Sequence, residues 1–322
     1  MQRLALACLC IFVATLTACN RGSEDVHFAR FEHLLFETEP AHLHDAMLHA
    51  RDTFESDLLV FFPDDDDYLA MTLDFVSDPV MRDIYRTTDS LYHDFSDIES
   101  ALGRALHRAY RLCPRMQHVE RFFTMVTGDF DNYNYRVFGN ASQLCIALDM
   151  YALGRLGRYQ YFGMPTYIVR TLSADHIVAD CMRQIARYNM PPEASSPTLL
   201  DYAIEAGKTL YFVEQTVSDI NDTILLRYTP AQLQWMKHNT ASVWARIVEN
   251  KMLYSTDWTA LRGLVGDAPY TNAFGNASAP RTTDYIGLQI VKQYVKRSGC
   301  SMEELLAETD SRKILDQSGW RP

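Results

Sequence analysis

At 322 residues the chain is long enough for one large domain or two small ones. Hydrophobic residues make up 48% and aromatics 12%, which excludes a disordered polymer and calls for a sizeable core. The formal net charge of −11 excludes a general nucleic-acid binder, because phosphate binding needs a basic footprint.

Residues 1–18 combine a basic start, Arg3, with an apolar run, and are expected to be a signal peptide. The run ends in Leu16-Thr17-Ala18-Cys19, which resembles the lipobox of bacterial lipoproteins. That resemblance implies cleavage before Cys19 and acylation of its new terminus, with residues 19–27 as lipidated cysteine and tether. Several acyl chains, at about 0.8 kcal/mol per buried methylene, would hold the protein firmly to a membrane. No other stretch reaches the roughly 18 apolar residues of a bilayer span. Cys113, Cys145, Cys181 and Cys300 remain in the body. Their wide spacing and apolar settings suit buried thiols as well as disulfides, and no CxxC is present.

Residues 26–60 place aromatic and leucine positions at helical spacing, with His42, His44 and His49 on a solvated face. Asp64 to Asp67 read as a solvated turn, since a calcium loop needs staggered carboxylates, a glycine and a distal Glu. Asp78-Pro79 opens a helix, and Ser96-x-x-Glu99 is a capping-box pattern for the next, which Pro114 closes. The periodicity then changes. Val119–Thr127, Tyr135–Phe138 and Ser142–Met150 are short, apolar or β-branched, and predict a small sheet. Gly154 to Pro165 follows as a loop.

Two helices joined by a Pro- and Ser-rich loop come next, over Thr171 to Val217. Ser173 is placed to cap the first, and Ser196-Pro197 to open the second. Gly207 in the second allows a close helix crossing. Thr229-Pro230 starts another helix, a short one follows the loop from Ser255, and Asp284 to Arg297 forms a further amphipathic helix stopped near Gly299. Ser301-x-x-Glu304 caps the last. No repeat and no long linker is visible. The economical expectation is a single domain over 28–322, mainly α with a small β-sheet (α+β).

Several segments carry a family resemblance: DPVMRDIY at Asp78–Tyr85, IALDMYALG at Ile146–Gly154, TLLDYAIEAGKTLYF at Thr198–Phe212, YTPAQLQWM at Tyr228–Met236, DAPYT at Asp267–Thr271 and YIGLQIVKQY at Tyr285–Tyr294. In order and spacing they resemble the gliding-motility lipoprotein B (GldB-like) family of Bacteroidetes. The resemblance implies a lipoprotein of the outer membrane of a Gram-negative cell, attached through its N-terminal lipid. Its expected partners are protein components of a motility or secretion complex, and no enzymatic activity or cofactor is expected.

The family is in turn similar to zinc peptidases with an HExxH helix followed by a helix bearing a Glu ligand. Transferred residue by residue, His176 falls near the first ligand, Ile177 at the general base, Asp180 at the second ligand and Glu205 at the third. Ile177 cannot take a proton, so a degenerate, zincin-like fold with a vestigial site is expected. Asp180 has Arg183 one helical turn away, the ordinary setting of a salt bridge. Glu205 sits among Tyr202, Thr209 and Phe212 and needs a partner, with His176, Arg183 and Tyr285 as candidates. Two alternatives stay open. One is a metal-dependent hydrolase with zinc on His176, Asp180 and Glu205. The other is a peptide-binding module that uses the vestigial cleft.

Overall fold

The computed structural model describes residues 22–59, 61–156 and 163–322. The signal segment and Cys19 lie outside the described residues. At the centre is a four-stranded sheet of order β1-β2-β4-β3: β1 (Phe28–Arg30), β2 (Arg121–Met125), β3 (Val137–Gly139) and β4 (Gln143–Ala147). β1, β2 and β4 are parallel, with Phe28 opposite Phe122 and Phe123 opposite Cys145, and β3 closes one edge antiparallel to β4. Parallel strands covered on both faces read as continuous apolar runs, and Phe122, Phe123, Leu144, Cys145 and Ile146 are all buried. The three predicted strands are present. β1 lies where a helix was expected, because three residues are too few to interrupt a helical pattern. β4 is shorter than predicted: Leu148 already begins a helix, and Ser142–Met150 is strand only over its first half.

Helices surround the sheet. On the N-terminal side are α1 (Phe31–Glu37), α2 (Leu43–His49), α3 (Arg51–Phe54), α4 (Asp66–Ser77), α5 (Pro79–Tyr92) and α6 (Ser96–Leu112). α7 (Leu148–Leu156) follows β4 directly, then come α8 (Thr166–Val169), α9 (Ala174–Tyr188) and α10 (Leu199–Thr216). The chain ends with α11 (Asp222–Leu226), α12 (Pro230–Glu249), α13 (Trp258–Val265), α14 (Thr282–Ser298), α15 (Met302–Ala307) and α16 (Ser311–Ser318). Among the described residues no helix is long and apolar enough to cross a membrane.

Local chemistry sets most of these boundaries. Asp78 caps α5 through the amides of Val80 and Met81 with Pro79 in the first turn, and Thr229 forms a capping box with Gln232 at α12. Ser301 and Glu304 form the expected capping box, but it opens α15, and α16 still follows. The acidic run is more than a turn, because Asp65 caps α4 and Asp66 and Asp67 lie in its first turn, where the helix dipole favours them. Three expected starts differ. Ser96 bonds to Asp94, while Glu99 accepts the backbone N–H of Phe28 at 2.9 Å, so Glu99 anchors β1 instead of capping α6. α10 begins at Leu199 with a Thr198–Asp201 capping box, leaving Pro197 outside. Ser173 does occupy the cap position of α9, yet its hydroxyl bonds to the His176 ring.

α10 and α14 form the central helix pair. A Cβ on Gly207 would lie 2.4 Å from the Gly287 backbone, and one on Gly287 would lie 1.7 Å from the Ala203 carbonyl oxygen. The two backbones therefore touch, as the sequence anticipated for Gly207. Cys113, Cys145, Cys181 and Cys300 are free thiols, and the first three are buried.

Candidate functional site

A cleft of about 600 Å³ opens between α9, α10, the turn entering β3 and the loops that flank α13. Its inner wall is charged. Asp180 and Arg183 come from α9, Arg136 from the residue before β3, Arg227 from the end of α11, Asp267 and Arg281 from the stretch that leads into α14, and Asp284 from the first turn of α14. Arg187, Glu193, Glu205, Tyr202 and Trp258 line it nearer the surface.

Asp180 is the hub. Its Oδ1 accepts from Arg227 Nη2 at 2.6 Å and its Oδ2 from the Tyr151 hydroxyl at 2.9 Å. Arg136 Nε lies 3.7 Å from Oδ2 and Arg183 Nε 4.0 Å from Oδ1. Burial alone would raise this carboxyl's pKa, but the guanidinium groups of Arg227, Arg136 and Arg183 outweigh it and hold the group well below the usual carboxylate range. The arginines carry the opposite strain. Burial and the neighbouring Arg227 charge lower Arg183 to about 9 and also lower Arg136.

Backbone geometry aims two of these side chains. Arg227 and Arg281 both adopt left-handed conformations, at φ 55° and 43°, which cost a side-chain-bearing residue roughly 1 kcal/mol each. The Tyr228 hydroxyl donates to the Arg281 carbonyl at 3.0 Å and holds that conformation. The Arg281 guanidinium reaches Asp267 and the Leu226 carbonyl, while its Nε lies 3.4 Å from Asp284. Asp267 is pulled down by Arg281 and Arg227 against its burial, whereas burial pushes Asp284 up. Four guanidinium groups, two of them buried and the other two largely so, thus face three carboxylates. Arg183 Nη1 and Arg227 Nε are buried with no hydrogen-bond partner among the described residues. Buried donors of this kind cost free energy until something accepts from them.

The residues singled out in the sequence are only partly brought together. Asp180 and Glu205 line the same cleft. His176 does not: it is buried, bonds through Nδ1 to the Ser173 hydroxyl at 2.9 Å, and burial lowers its pKa to about 4. Ile177 is fully buried in the core. Among the described residues, His176, Asp180 and Glu205 do not bring one ligand atom each within 4.8 Å of one another. Glu205 is half-buried and its pKa is raised, first by burial and then by the charge of Glu193, with Arg187 and Lys208 opposing. None of the three suggested partners pairs with it, His176 being bonded to Ser173. Arg183 is taken by Asp180 and the carbonyls that end α11, and Tyr285 faces Thr240, Lys237 and Asp222. Tyr285 points to α12 because Gly287 brings the opposite side of α14 against α10.

Arg136, Arg227, Arg281, Asp267 and Asp284 were not anticipated as site residues. They lie far apart in the chain with no ligand-type spacing; the segment DAPYT begins with Asp267, while YTPAQLQWM and YIGLQIVKQY follow directly after Arg227 and Asp284.

A family model described as gliding motility protein GldB matches residues 17–322. The chain belongs to the GldB family. No curated protein and no solved structure matches it. The family is one of gliding-motility lipoproteins, which makes the cell envelope the compartment of its members. The match bears on GldB and not on zinc peptidases. In this GldB-family chain the cleft is therefore described by its own residues, as a buried arginine cluster around one aspartate.

Proposed function

We propose that this protein is a non-catalytic lipoprotein of the outer membrane, an accessory or assembly component of a gliding-motility or associated secretion machine. In this proposal the cleft receives a carboxylate-bearing segment of a partner protein. The observation that carries it is the inner wall of the cleft, which sets the four guanidinium groups of Arg136, Arg183, Arg227 and Arg281 against the three carboxylates of Asp180, Asp267 and Asp284. An anionic group would balance the excess guanidinium charge in a partly enclosed site, where charge-assisted bonds are strong. Trp258, 52% exposed, and Tyr202, with rings 5.6 Å apart, offer an apolar lip for the flanking peptide. The order of α9 and α10 is the one expected from the resemblance to zinc peptidases, with Ile177 where the proton acceptor would be. On this view the fold is a degenerate zincin whose Asp180 now serves the arginine cluster.

Co-purification from intact membranes, with the lipid anchor preserved, tests the proposal. A stable partner should be recovered with the natural chain and lost with Arg187→Glu combined with Trp258→Ala, both at the cleft mouth and outside the core. Full recovery of the same partners with that variant would overturn it.

A second reading rests on Glu205, whose raised pKa and place in the cleft are those of a general acid or base. A metal-dependent hydrolase using Asp180 and Glu205 would hold stoichiometric zinc that Glu205→Ala removes, together with chelator-sensitive hydrolysis. Zinc retained by Glu205→Ala would exclude that reading.

A further inference from the structure

We propose that His33, Asp89 and His93, outside the cleft, form a binding site for a zinc-class divalent cation that ties α1 to the end of α5. One ring nitrogen of each histidine and one carboxylate oxygen of Asp89 all lie within 4.8 Å of one another, the only such trio among the described residues. His33 Nε2 is 3.0 Å and His93 Nδ1 3.3 Å from the same oxygen, Asp89 Oδ1. Ligands at about 2.0–2.2 Å from a tetrahedral zinc are separated by roughly 3.3 Å, so two edges of the polyhedron are already set. The third edge, between the histidines, needs a small rotation of His93. That side chain is 76% exposed at the C-terminal cap of α5, while His33 and Asp89 are each 24% exposed and held by the packing of α1 on α5.

The surroundings favour a cation. Asp89 pairs with no lysine or arginine among the described residues, and Arg30, the nearby guanidinium, is engaged by Glu32 and the Tyr92 carbonyl. Tyr85 packs edge-on to His33 at 6.3 Å and donates to Glu37 at 2.8 Å. Two imidazoles and one carboxylate match the borderline preference of zinc and its first-row neighbours, and not magnesium or calcium, which take oxygen ligands. Three protein ligands leave one position for water or for a group from a partner.

The test uses the full-length chain in detergent, stripped with chelator and titrated with zinc chloride alone by calorimetry. One site per chain is expected, with zinc raising the melting temperature by mass action. His93→Ala, an exposed change that spares the fold, should weaken binding at least about tenfold and abolish the zinc-dependent shift. Asp89→Asn should do the same, with the metal-free melting temperature confirming that each variant is folded. A combined His42→Gln, His44→Gln, His49→Gln variant should bind zinc as the natural chain does. Unchanged affinity in His93→Ala and Asp89→Asn overturns the site, as does loss confined to the combined variant or no saturable binding at all.

Discussion

Arg227 donates to Asp180 at 2.6 Å, joining the end of α11 to the middle of α9 across the inner wall of the cleft. Asp180 is buried and the Arg227 side chain largely so, and Arg136, Arg183 and Tyr151 share the same carboxylate. Removing one partner of a buried ion pair leaves the other charge uncompensated, at a cost of about 3–5 kcal/mol. Asp180→Asn is therefore expected to destabilise the protein by that amount in urea unfolding, although it keeps shape and volume. Adding Arg227→Gln should recover part of the loss, because the two sites act as a unit. A loss below about 1 kcal/mol in the single variant would contradict the role of Asp180 as the hub.

His176 gives a pH signature. Its folded pKa, about 4, is lower than an ordinary histidine's, so between roughly pH 6.5 and 4 the unfolded chain binds more protons than the native one. Stability should rise with pH through that window and fall on acidification, by up to about 3 kcal/mol from this group alone. Denaturant midpoints measured at pH 7 and pH 4.5 check this. His176→Gln should reduce the difference, and an equal pH dependence in that variant would assign the acid sensitivity elsewhere.

The glycine contact between α10 and α14 separates packing from propensity. Gly287→Ala would drive its Cβ into the Ala203 carbonyl oxygen, and separating the helices should cost several kcal/mol or prevent folding. Gly263, inside α13, has open space around its Cβ position. Gly263→Ala should therefore stabilise by about 0.5–1 kcal/mol through helix propensity. Thermal unfolding of both variants reads the contrast directly, and a harmless Gly287→Ala would deny the close crossing.

Lys208 is a buried cation whose Nζ donates to the carbonyls of Leu306 at 3.1 Å and Glu308 at 2.8 Å, at the end of α15. Those carbonyls are among the unpaired acceptors at a helix C-terminus. Lys208→Met keeps the aliphatic stem but strands them, and should cost about 1–3 kcal/mol. Hydrogen exchange should then quicken in α15 and α16 before the rest of the molecule, whereas uniform loosening would show that the contact is not local.

Features that depend on neighbours along the chain were legible in the residues alone. Asp78-Pro79, Thr229-Pro230 and Ser301-x-x-Glu304 start helices because a cap and its amides lie within three residues. The runs around Phe122 and Ile146 are strands because both faces are covered by core. The short approach at Gly207 was legible for the same reason: a glycine on an apolar stripe has few other uses. Tertiary structure alone decided how charges were paired. Arg136, Arg227 and Arg281 reach one aspartate cluster from separate elements, and the two left-handed turns that aim them leave no periodic trace. Glu99 and Ser173 had partners of suitable spacing close by, yet Glu99 bonds to Phe28 and Ser173 to His176. Polar side chains take the best acceptor or donor that packing brings within about 3 Å, and sequence distance does not enter that choice.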